Sequence, residues 1–502
     1  MNIVKDIQIR QIPRLHTEHF DVLIVGAGIS GIDAAYHMQK ECRGKSFVLL
    51  ETQETFGGTW TTHKYPGIRS DSDLFTFGYG WKPWEGPLIA TADEILKYLD
   101  EALDEQDIRK HIRYHHKVTD ASWSNEDKQW ILTVTDIDSG DVLTFTGNFL
   151  WMCQGYYRHS EGHTPNFPGM KRFKGHIVHP QTWPEDLDYK DKEVLVIGSG
   201  ATAATLIPAM ADATKHITML QRSPTYFFAL PNRSIARDML RKINVSREWT
   251  HDIVRNDILI NQKTVTRRSF EDSEALKNEL IAGARLHLGP DFDVNKHFTP
   301  SYRPWRQRLA VLPDGDLFQS IRKGKASVVT DHIKTFTEDG ILLQSGAKLK
   351  ADIIVTATGF NMSAMGDVVF KVEGRTVDFS KSWGHRTIQF SDIPNMAWVF
   401  GYLRASWTLR ADLVSGYVCR LLNYMEKHGY SMVTPRLREQ DKQMEPLPFI
   451  TEQNFNAGYI MRKIHLMPRQ GDKEPWVHRQ DYFAEKNTIP VADLEDGTLI
   501  YE

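Results

Sequence analysis

Two short apolar runs in this 502-residue chain end in glycine-rich turns, and each turn opens a helix. Residues 21–25 run into Gly26-Ala27-Gly28-Ile29-Ser30-Gly31, and residues 193–197 into Gly198-Ser199-Gly200-Ala201-Thr202-Ala203. A further apolar strand follows each helix, at 47–50 and at 217–220. This is the strand–helix–strand unit of a parallel sheet, present twice. The first glycine of such a turn permits the sharp exit from the strand. The second lets a phosphate approach the backbone, and the third lets the helix lie close to the strand. Free N–H groups and the helix dipole then hold a pyrophosphate. The spacing predicts one dinucleotide site at Gly26, Gly28, Ser30 and Gly31, and another at Gly198, Gly200, Ala201 and Thr202. Ala203 replaces the third glycine and implies slightly looser packing in the second unit. Two nucleotides held against each other form an arrangement for passing electrons.

The two sites differ where their second strands end. Glu51 stands 20 residues after Gly31, where its carboxylate can accept from ribose hydroxyls. The second unit ends at Gln221-Arg222-Ser223, with no acid. A carboxylate there would repel a 2'-phosphate, whereas a guanidinium pairs with it bidentately. Arg222 and Ser223 therefore predict NADP rather than NAD.

The rest of the chain reads as α/β with additions. A helix is expected from 91 to 103, and a hairpin from strands 130–134 and 142–145 around Asp138-Ser139-Gly140. A separate strand is expected at 149–153. Residues 155–191, rich in Gly, Pro, His and aromatics, read as a linker. Pro208 should kink the second unit's helix or mark an irregular turn. Residues 224–325 show amphipathic stretches without a clear strand, and read as a helical insertion. Its basic residues (Arg237, Arg241, Lys242, Arg267, Arg268) read as a solvated face. β-structure resumes at 327–329, 341–343 and 352–355, and a helix is expected from 409 to 427.

Composition excludes several classes. The formal net charge of -3 gives no support for a nucleic-acid partner. Cys42, Cys153 and Cys419 are scattered and odd in number, which fits a reducing, cytoplasmic compartment. No apolar run approaches the ~18 residues of a spanning helix. Residues 1–20 lack the apolar core of a secretory signal and read as a short extension.

Between the two glycine turns lies Phe173-x-Gly175-x-x-x-His179-x-x-x-Trp183-Pro184. This spacing resembles the fingerprint of type I Baeyer–Villiger monooxygenases; related flavin N/S-monooxygenases usually carry Tyr or Phe where Trp183 stands. Ala357-Thr358-Gly359 fits the same pattern. Gly57-Gly58-Thr59-Trp60, the run Tyr65-Pro66-Gly67-Ile68-Arg69-Ser70-Asp71, and Gln307-Arg308-Leu309 extend the resemblance. They are similar to the subgroup of ethionamide-activating and long-chain alkane-utilisation monooxygenases.

The resemblance implies two Rossmann-like dinucleotide-binding domains, for FAD and NADP, with a helical insertion in the NADP domain. The boundaries follow as 1–150 for the first part of the FAD domain and 151–223 for linker and first part of the NADP domain. The insertion takes 224–326, the NADP domain resumes at 327–384, and the FAD domain at 385–502. It implies that NADPH reduces FAD and that a C4a-peroxyflavin then inserts one oxygen from O2 into a small organic substrate. A ketone would give an ester or lactone. The alternative is S- or N-oxygenation (or hydroxylation) of a sulfide, thiocarbonyl or heteroaromatic compound, with little ketone activity. Arg308 matches the family's active-site arginine, and Asp71 the carboxylate beside the flavin; Asp73 competes for that role. Gly58, Thr59 and Trp60 would run past the flavin ring, and Thr358 and Gly359 would contact cofactor. Phe173, Gly175, His179 and Trp183 would organise the domain junction.

Two positions depart from the family. Gln307 replaces a lysine that helps hold the 2'-phosphate, so NADP preference leans on Arg222, with Arg306 as a possible substitute. Arg404 stands where relatives carry a small polar residue. It either lines the substrate channel or faces solvent or a phosphate. The pocket walls are expected from residues 225–300 and 400–410.

Overall fold

The computed structural model describes residues 17–502. The expected N-terminal extension therefore lies outside the described residues, apart from 17–20. Those four belong to the strand Thr17–Val25, and they pair with residues 144–147.

The first sheet has nine strands. Thr17–Val25 lies parallel between Phe47–Leu50 and Val142–Met152. Ile112–Arg113 extends one side, and Met396–Trp398 runs parallel to the end of Val142–Met152. Gln129–Asp136 and His116–Ser124 continue the other side as antiparallel neighbours. The hairpin turn falls where the sequence placed it, but Val142–Met152 is one eleven-residue strand rather than two. Gly147 reads as an interruption, yet it makes room for a neighbour: a Cβ there would lie 2.6 Å from Leu23 Cγ.

The second sheet is wholly parallel, in the order Ala326–Thr330, His216–Gln221, Glu193–Ile197, Ile353–Thr356 and His176–Val178. Its edge strand, His176–Val178, comes from the stretch expected to be a linker. Residues 369–376 join the first sheet instead, against His116–Ser124. The chain thus returns to the first sheet before residue 385, where the sequence reading put the return.

The insertion is built on helices Ile235–Lys242, Arg247–Glu271 and Ser273–Leu288. It is not strand-free: Phe227–Leu230 and Ala310–Pro313 form a parallel pair. Four residues are too few for a period-2 pattern to show. Pro208 sits in the helix Ala201–Met210, which ends two residues later. The carbonyl of Ala204, left without Pro208's missing N–H, faces Arg69 Nη2 at 3.5 Å.

The first glycine turn's helix, Ile29–Glu41, packs on helix Thr408–His428 through a charged seam. His37 Nε2 meets Asp412 Oδ1 at 3.0 Å and Asp33 Oδ1 at 3.9 Å, and its Nδ1 meets Glu41 Oε1 at 2.5 Å. Burial opposes the His37 cation, but the bonds to Asp412 and Glu41 and the charge of Asp33 carry its pKa from 6.5 to about 10. Burial lifts Asp33 to about 6 against the pull of His37. A histidine with a raised folded pKa stabilises fully below its unfolded value, and that contribution is lost as pH rises through the folded one. Asp33 works the other way, and its effect is complete above about pH 6. Between pH 6.5 and 10 His37 therefore dominates this seam. Melting curves of His37→Gln should show a flatter dependence on pH across that window than the parent protein. Parallel profiles would remove the seam's role. Elsewhere on this interface Cys42 Sγ lies 3.7 Å from the Cys419 carbonyl, so two sequence-distant cysteines meet, both unpaired.

Candidate active site

A cavity of about 610 Å³ opens at the C-terminal ends of the first sheet's parallel strands, where Gly26, Gly28, Ser30, Glu51, Gly58, Thr59 and Trp60 line it. Gly26 has φ +102°, and a Cβ there would stand 2.9 Å from the Cys153 carbonyl oxygen. A Cβ on Gly31 would lie 1.9 Å from Gly26 O, so the helix can approach the strand only with glycine here. Gly28 faces Gly58 across the cavity floor; a Cβ on Gly28 would lie 3.6 Å from Gly58 Cα. Two bare backbones thus face each other over a helix N-terminus. Glu51 is buried and accepts from the N–H groups of Ala27 (2.7 Å) and Gln53 (2.8 Å). Burial raises its pKa while these bonds lower it. Its carboxylate keeps acceptor capacity toward the cavity. Ser30 is partly engaged, accepting from Trp407 Nε1 at 2.8 Å. Trp60 packs edge-on against Phe77. This is a cradle for an extended dinucleotide with a flat ring, and it fits FAD.

Asp71 and Arg308 meet at this cavity, 237 residues apart in sequence. Arg308 Nε donates to Oδ2 at 2.6 Å and Nη2 to Oδ1 at 2.5 Å, a two-point fork. Burial works against the Arg308 charge, but Asp71 more than offsets it, so the guanidinium stays protonated. The fork joins the two halves. Asp71 follows a loop whose Gly67 lies against Ala209 of the second unit's helix, with a would-be Cβ 2.4 Å from Ala209 Cβ. Arg308 immediately precedes Leu309 and the strand Ala310–Pro313. Asp73 is occupied elsewhere. It caps the short helix Leu74–Phe77, accepting from Thr76 N at 2.8 Å, and it accepts from Gln262 at 3.0 Å.

The second glycine turn repeats the first in backbone shape. Gly28 and Gly200 cap their helices at φ/ψ of -80/-170° and -78/-173°. Gly198 has φ +124° and packs on the Ala357 carbonyl, while a Cβ on Gly200 would meet nothing within 4 Å. That open space in front of the Ala201 helix start suits a phosphate, with Thr202 beside it. Arg222 is exposed and makes no ion pair among the described residues; Ser223 offers its carbonyl to Ser199 Oγ at 3.5 Å. None of these second-turn residues lines the 610 Å³ cavity. The turn lies apart from that cavity, with its own open space at the start of its helix.

The four fingerprint residues lie outside the cavity as well. His179 Nε2 donates to Gly359 O at 3.1 Å and its Nδ1 accepts from Gln181 N–H at 3.1 Å. These bonds define a neutral imidazole, and burial lowers its pKa. A Cβ on Gly175 would lie 2.1 Å from Asp352 O, so glycine is needed for the edge strand to join the second sheet. Phe173 and Trp183 are core residues on either side of that sheet. Thr358 donates to His163 O at 2.5 Å, and Gly359, at φ +100°, is held by His179. Thr358 and Gly359 thus close the junction and do not line the main cavity.

Arg404 is also outside it. Its Nη1 donates to Asn454 O at 3.1 Å and its guanidinium stacks on Phe270. Burial and the nearby Arg303 lower its pKa to about 10. Arg306 faces Glu452 at 3.9 Å. Of the expected walls, Tyr402, Ala405 and Trp407 line the cavity, but nothing from 225–300 does.

Sequence reasoning missed three tyrosines beside Arg308. Tyr156 and Tyr157 line the cavity, with hydroxyls 2.6 Å apart, and Tyr156 stacks on Trp407. Tyr459 closes the cluster. Burial raises all three pKa values, so they are neutral hydrogen-bonding groups at ordinary pH. The signal was available: Gly155-Tyr156-Tyr157 follows a strand whose end faces the first glycine turn, where ligands of such sheets bind.

Fold and site together define a two-nucleotide flavoenzyme. The flavin-binding monooxygenase-like family profile matches residues 83–247, and an NAD(P)-binding Rossmann-like profile matches 24–95. The FAD-containing monooxygenase EthA of Mycolicibacterium smegmatis is 44% identical over 485 residues, covering 96% of this chain and 97% of that protein. EthA of Mycobacterium tuberculosis is 44% identical over 486 residues, covering 96% and 98%. The chain belongs to this family of FAD-containing monooxygenases. Among solved structures, OTEMO in complex with FAD and NADP superimposes with a TM-score of 0.68 at 22% identity, covering 85% of this chain and 88% of that one. Cyclohexanone monooxygenase bound to epsilon-caprolactone gives 0.69 at 19%, covering 84% and 91%. The fold is thus the two-Rossmann α/β architecture expected from the two glycine turns. No helix among the described residues is long and apolar enough to cross a membrane.

Proposed function

We propose that this enzyme uses NADPH and O2 to convert a ketone to an ester or lactone: one oxygen atom enters the product, and the other leaves as water. The observation that carries this reading is the Arg308–Asp71 fork in the cavity between the two halves. Bound FAD, once reduced by NADPH, supplies the activation of O2. Gly26, Gly28, Gly31 and the start of helix Ile29–Glu41 would hold its pyrophosphate, Glu51 its ribose, and the Gly58-Thr59-Trp60 segment would flank its ring. The Gly198-Ser199-Gly200 turn would hold NADP, with Arg222 on the 2'-phosphate.

Within the site, Asp71 takes Nε and Nη2 of Arg308, which leaves the Nη1 edge free to face the reacting atoms. That edge would stabilise negative charge developing on the substrate's carbonyl oxygen. Asp71 fixes the guanidinium plane. Trp60, Phe77, Tyr156 and Trp407 line the cavity with aromatic surface that limits water. The unpaired cysteines suit a reducing cytoplasm.

Product analysis by mass spectrometry over ketones, sulfides, thiocarbonyls and heteroaromatics tests this reading. Esters from ketones support it; sulfoxides with no ester would move the assignment to S-oxygenation. The coenzyme assignment has its own test. Arg222→Ala should raise KM for NADPH by about tenfold or more, the loss of a charge-assisted pair, and leave NADH kinetics unchanged. Equal losses with both coenzymes would refute the 2'-phosphate role.

A further inference from the structure

Two guanidiniums meet beside the active-site cavity with no carboxylate between them. Arg404 Nη1 donates to the Asn454 carbonyl at 3.1 Å. Arg303 Nη2 donates to the same oxygen at 3.3 Å and to the Gln453 carbonyl at 2.8 Å. Both cations also lie over the Phe270 ring, at 4.0 Å for Arg303 and 5.1 Å for Arg404. Arg303 Nη1 donates to the Pro304 carbonyl at 3.1 Å. Carbonyls and a ring face orient a guanidinium but do not neutralise it. The pair adjoins the cavity along the chain: Ala405, next to Arg404, lines it, and so does Arg308, five residues after Arg303.

The nearby acids do not cancel these charges. Beside Phe270, Glu271 faces Arg267 and Asp272 faces Arg268, at 3.7 Å each. Glu452 lies 3.9 Å from Arg306. Asp481 attracts Arg404 without forming an ion pair with it, and caps the helix Tyr482–Thr488, accepting from the Phe483 N–H at 2.9 Å. Arg303, Arg306 and Arg404 thus stand against Glu452 and Asp481, and neither Arg303 nor Arg404 has an ion pair among the described residues. Burial and Arg303 hold the Arg404 pKa down at about 10, whereas Asp71 carries that of Arg308 up. Arg404 Nε is buried and lacks an acceptor, which a bound water or anion oxygen supplies at such groups. Arg404 also lines a crevice of about 10 Å³ with Gln470, His478 and Gln480, room for one oxygen-sized group.

We propose that Arg303 and Arg404 form a carboxylate-binding subsite at the edge of the cavity, and that the substrate carries an acid group besides its reacting carbonyl. A carboxylate offers two acceptor oxygens in one plane, one for Arg404 Nε and one for the neighbouring Arg303. The reacting end of that substrate rests on the ketone reading above; the acid end does not. Calorimetric titration of the FAD-loaded full-length enzyme with hexanoate and with methyl hexanoate reads the acid end alone. Hexanoate should bind tighter by about tenfold or more, and its binding should weaken with salt. Arg404→Gln and Arg303→Gln, made separately and checked for flavin content, should each erase that preference. In turnover, methyl ketones ending in a carboxylate should show a lower KM than their methyl esters, and Arg404→Gln should bring the two together. Equal binding of the two probes would overturn the proposal, as would a preference that survives both substitutions. Hexanoate binding without a preference among the ketones would overturn the substrate role and assign the site to a free acid. Hexanoate bound as expected, with no ketone oxygenated, would keep the subsite and sink the ketone reading instead.

Discussion

Arg308→Ala should retain FAD and be reduced by NADPH, yet lose oxygenated product by roughly 10²–10³-fold, the usual cost of removing a preorganised charge at a reacting oxygen. The NADPH consumed should then reappear as hydrogen peroxide. The expectation rests on geometry. Arg308 reaches the cavity from the second half of the molecule, held in a fixed plane by Asp71, while the first glycine turn and Glu51 lie on the other half. Removing the guanidinium leaves the first glycine turn and Glu51, the proposed FAD cradle, in place. Arg308→Lys keeps a charge but cannot form the fork, so it should fall between the two. Full coupling of NADPH to product in Arg308→Ala would take the residue out of the mechanism.

The largest loss of stability should come from Glu485→Gln. Arg410 is fully buried on helix Thr408–His428 and donates to Glu485 at 2.9 Å, to the Phe400 carbonyl at 2.9 Å and to the Arg386 carbonyl at 2.7 Å. Tyr402, which lines the cavity, donates to the same carboxylate at 2.5 Å. Burial opposes the Arg410 charge, and Glu485 restores it. Neutralising Glu485 strands that cation in the core, at a cost of roughly 3–5 kcal/mol. The melting temperature should drop by about 3–5 °C, and flavin retention should fall with it as Tyr402 loses its anchor. An unchanged melting curve would show that the carbonyls of Phe400 and Arg386, with that of Thr387 at 3.3 Å, satisfy Arg410 alone.

Neither partner of that ion pair stands out in the sequence, because nothing local marks a charge that will be buried by a segment 75 residues away. The same limit explains the other misses. Tyr459 joins Tyr156 and Tyr157 only after the chain has crossed both sheets. Residues 369–376 return to the first sheet early because two- and four-residue strands carry no period of their own. The edge strand His176–Val178 was hidden in a Gly- and Pro-rich stretch; Gly175 belongs there because the strand beside it is so close. What could be read locally was read. The glycine turns, with their strands and helices, have one workable backbone shape, and Gly28 and Gly200 adopt it within a few degrees of each other. Asp71 and Arg308 were legible only through the resemblance, since their spacing in sequence says nothing about contact. The structure brings them into a fork and leaves Asp73, their competitor, as a helix cap.

The central claim is that oxygen from O2 is inserted into a ketone at this fork. Turnover under ¹⁸O₂ with NADPH and a ketone panel tests it most directly, with the ester or lactone read by mass spectrometry. The account predicts product carrying one ¹⁸O atom, with the original carbonyl oxygen retained. Consumption of NADPH with every ketone unchanged and all the ¹⁸O recovered as peroxide would contradict it.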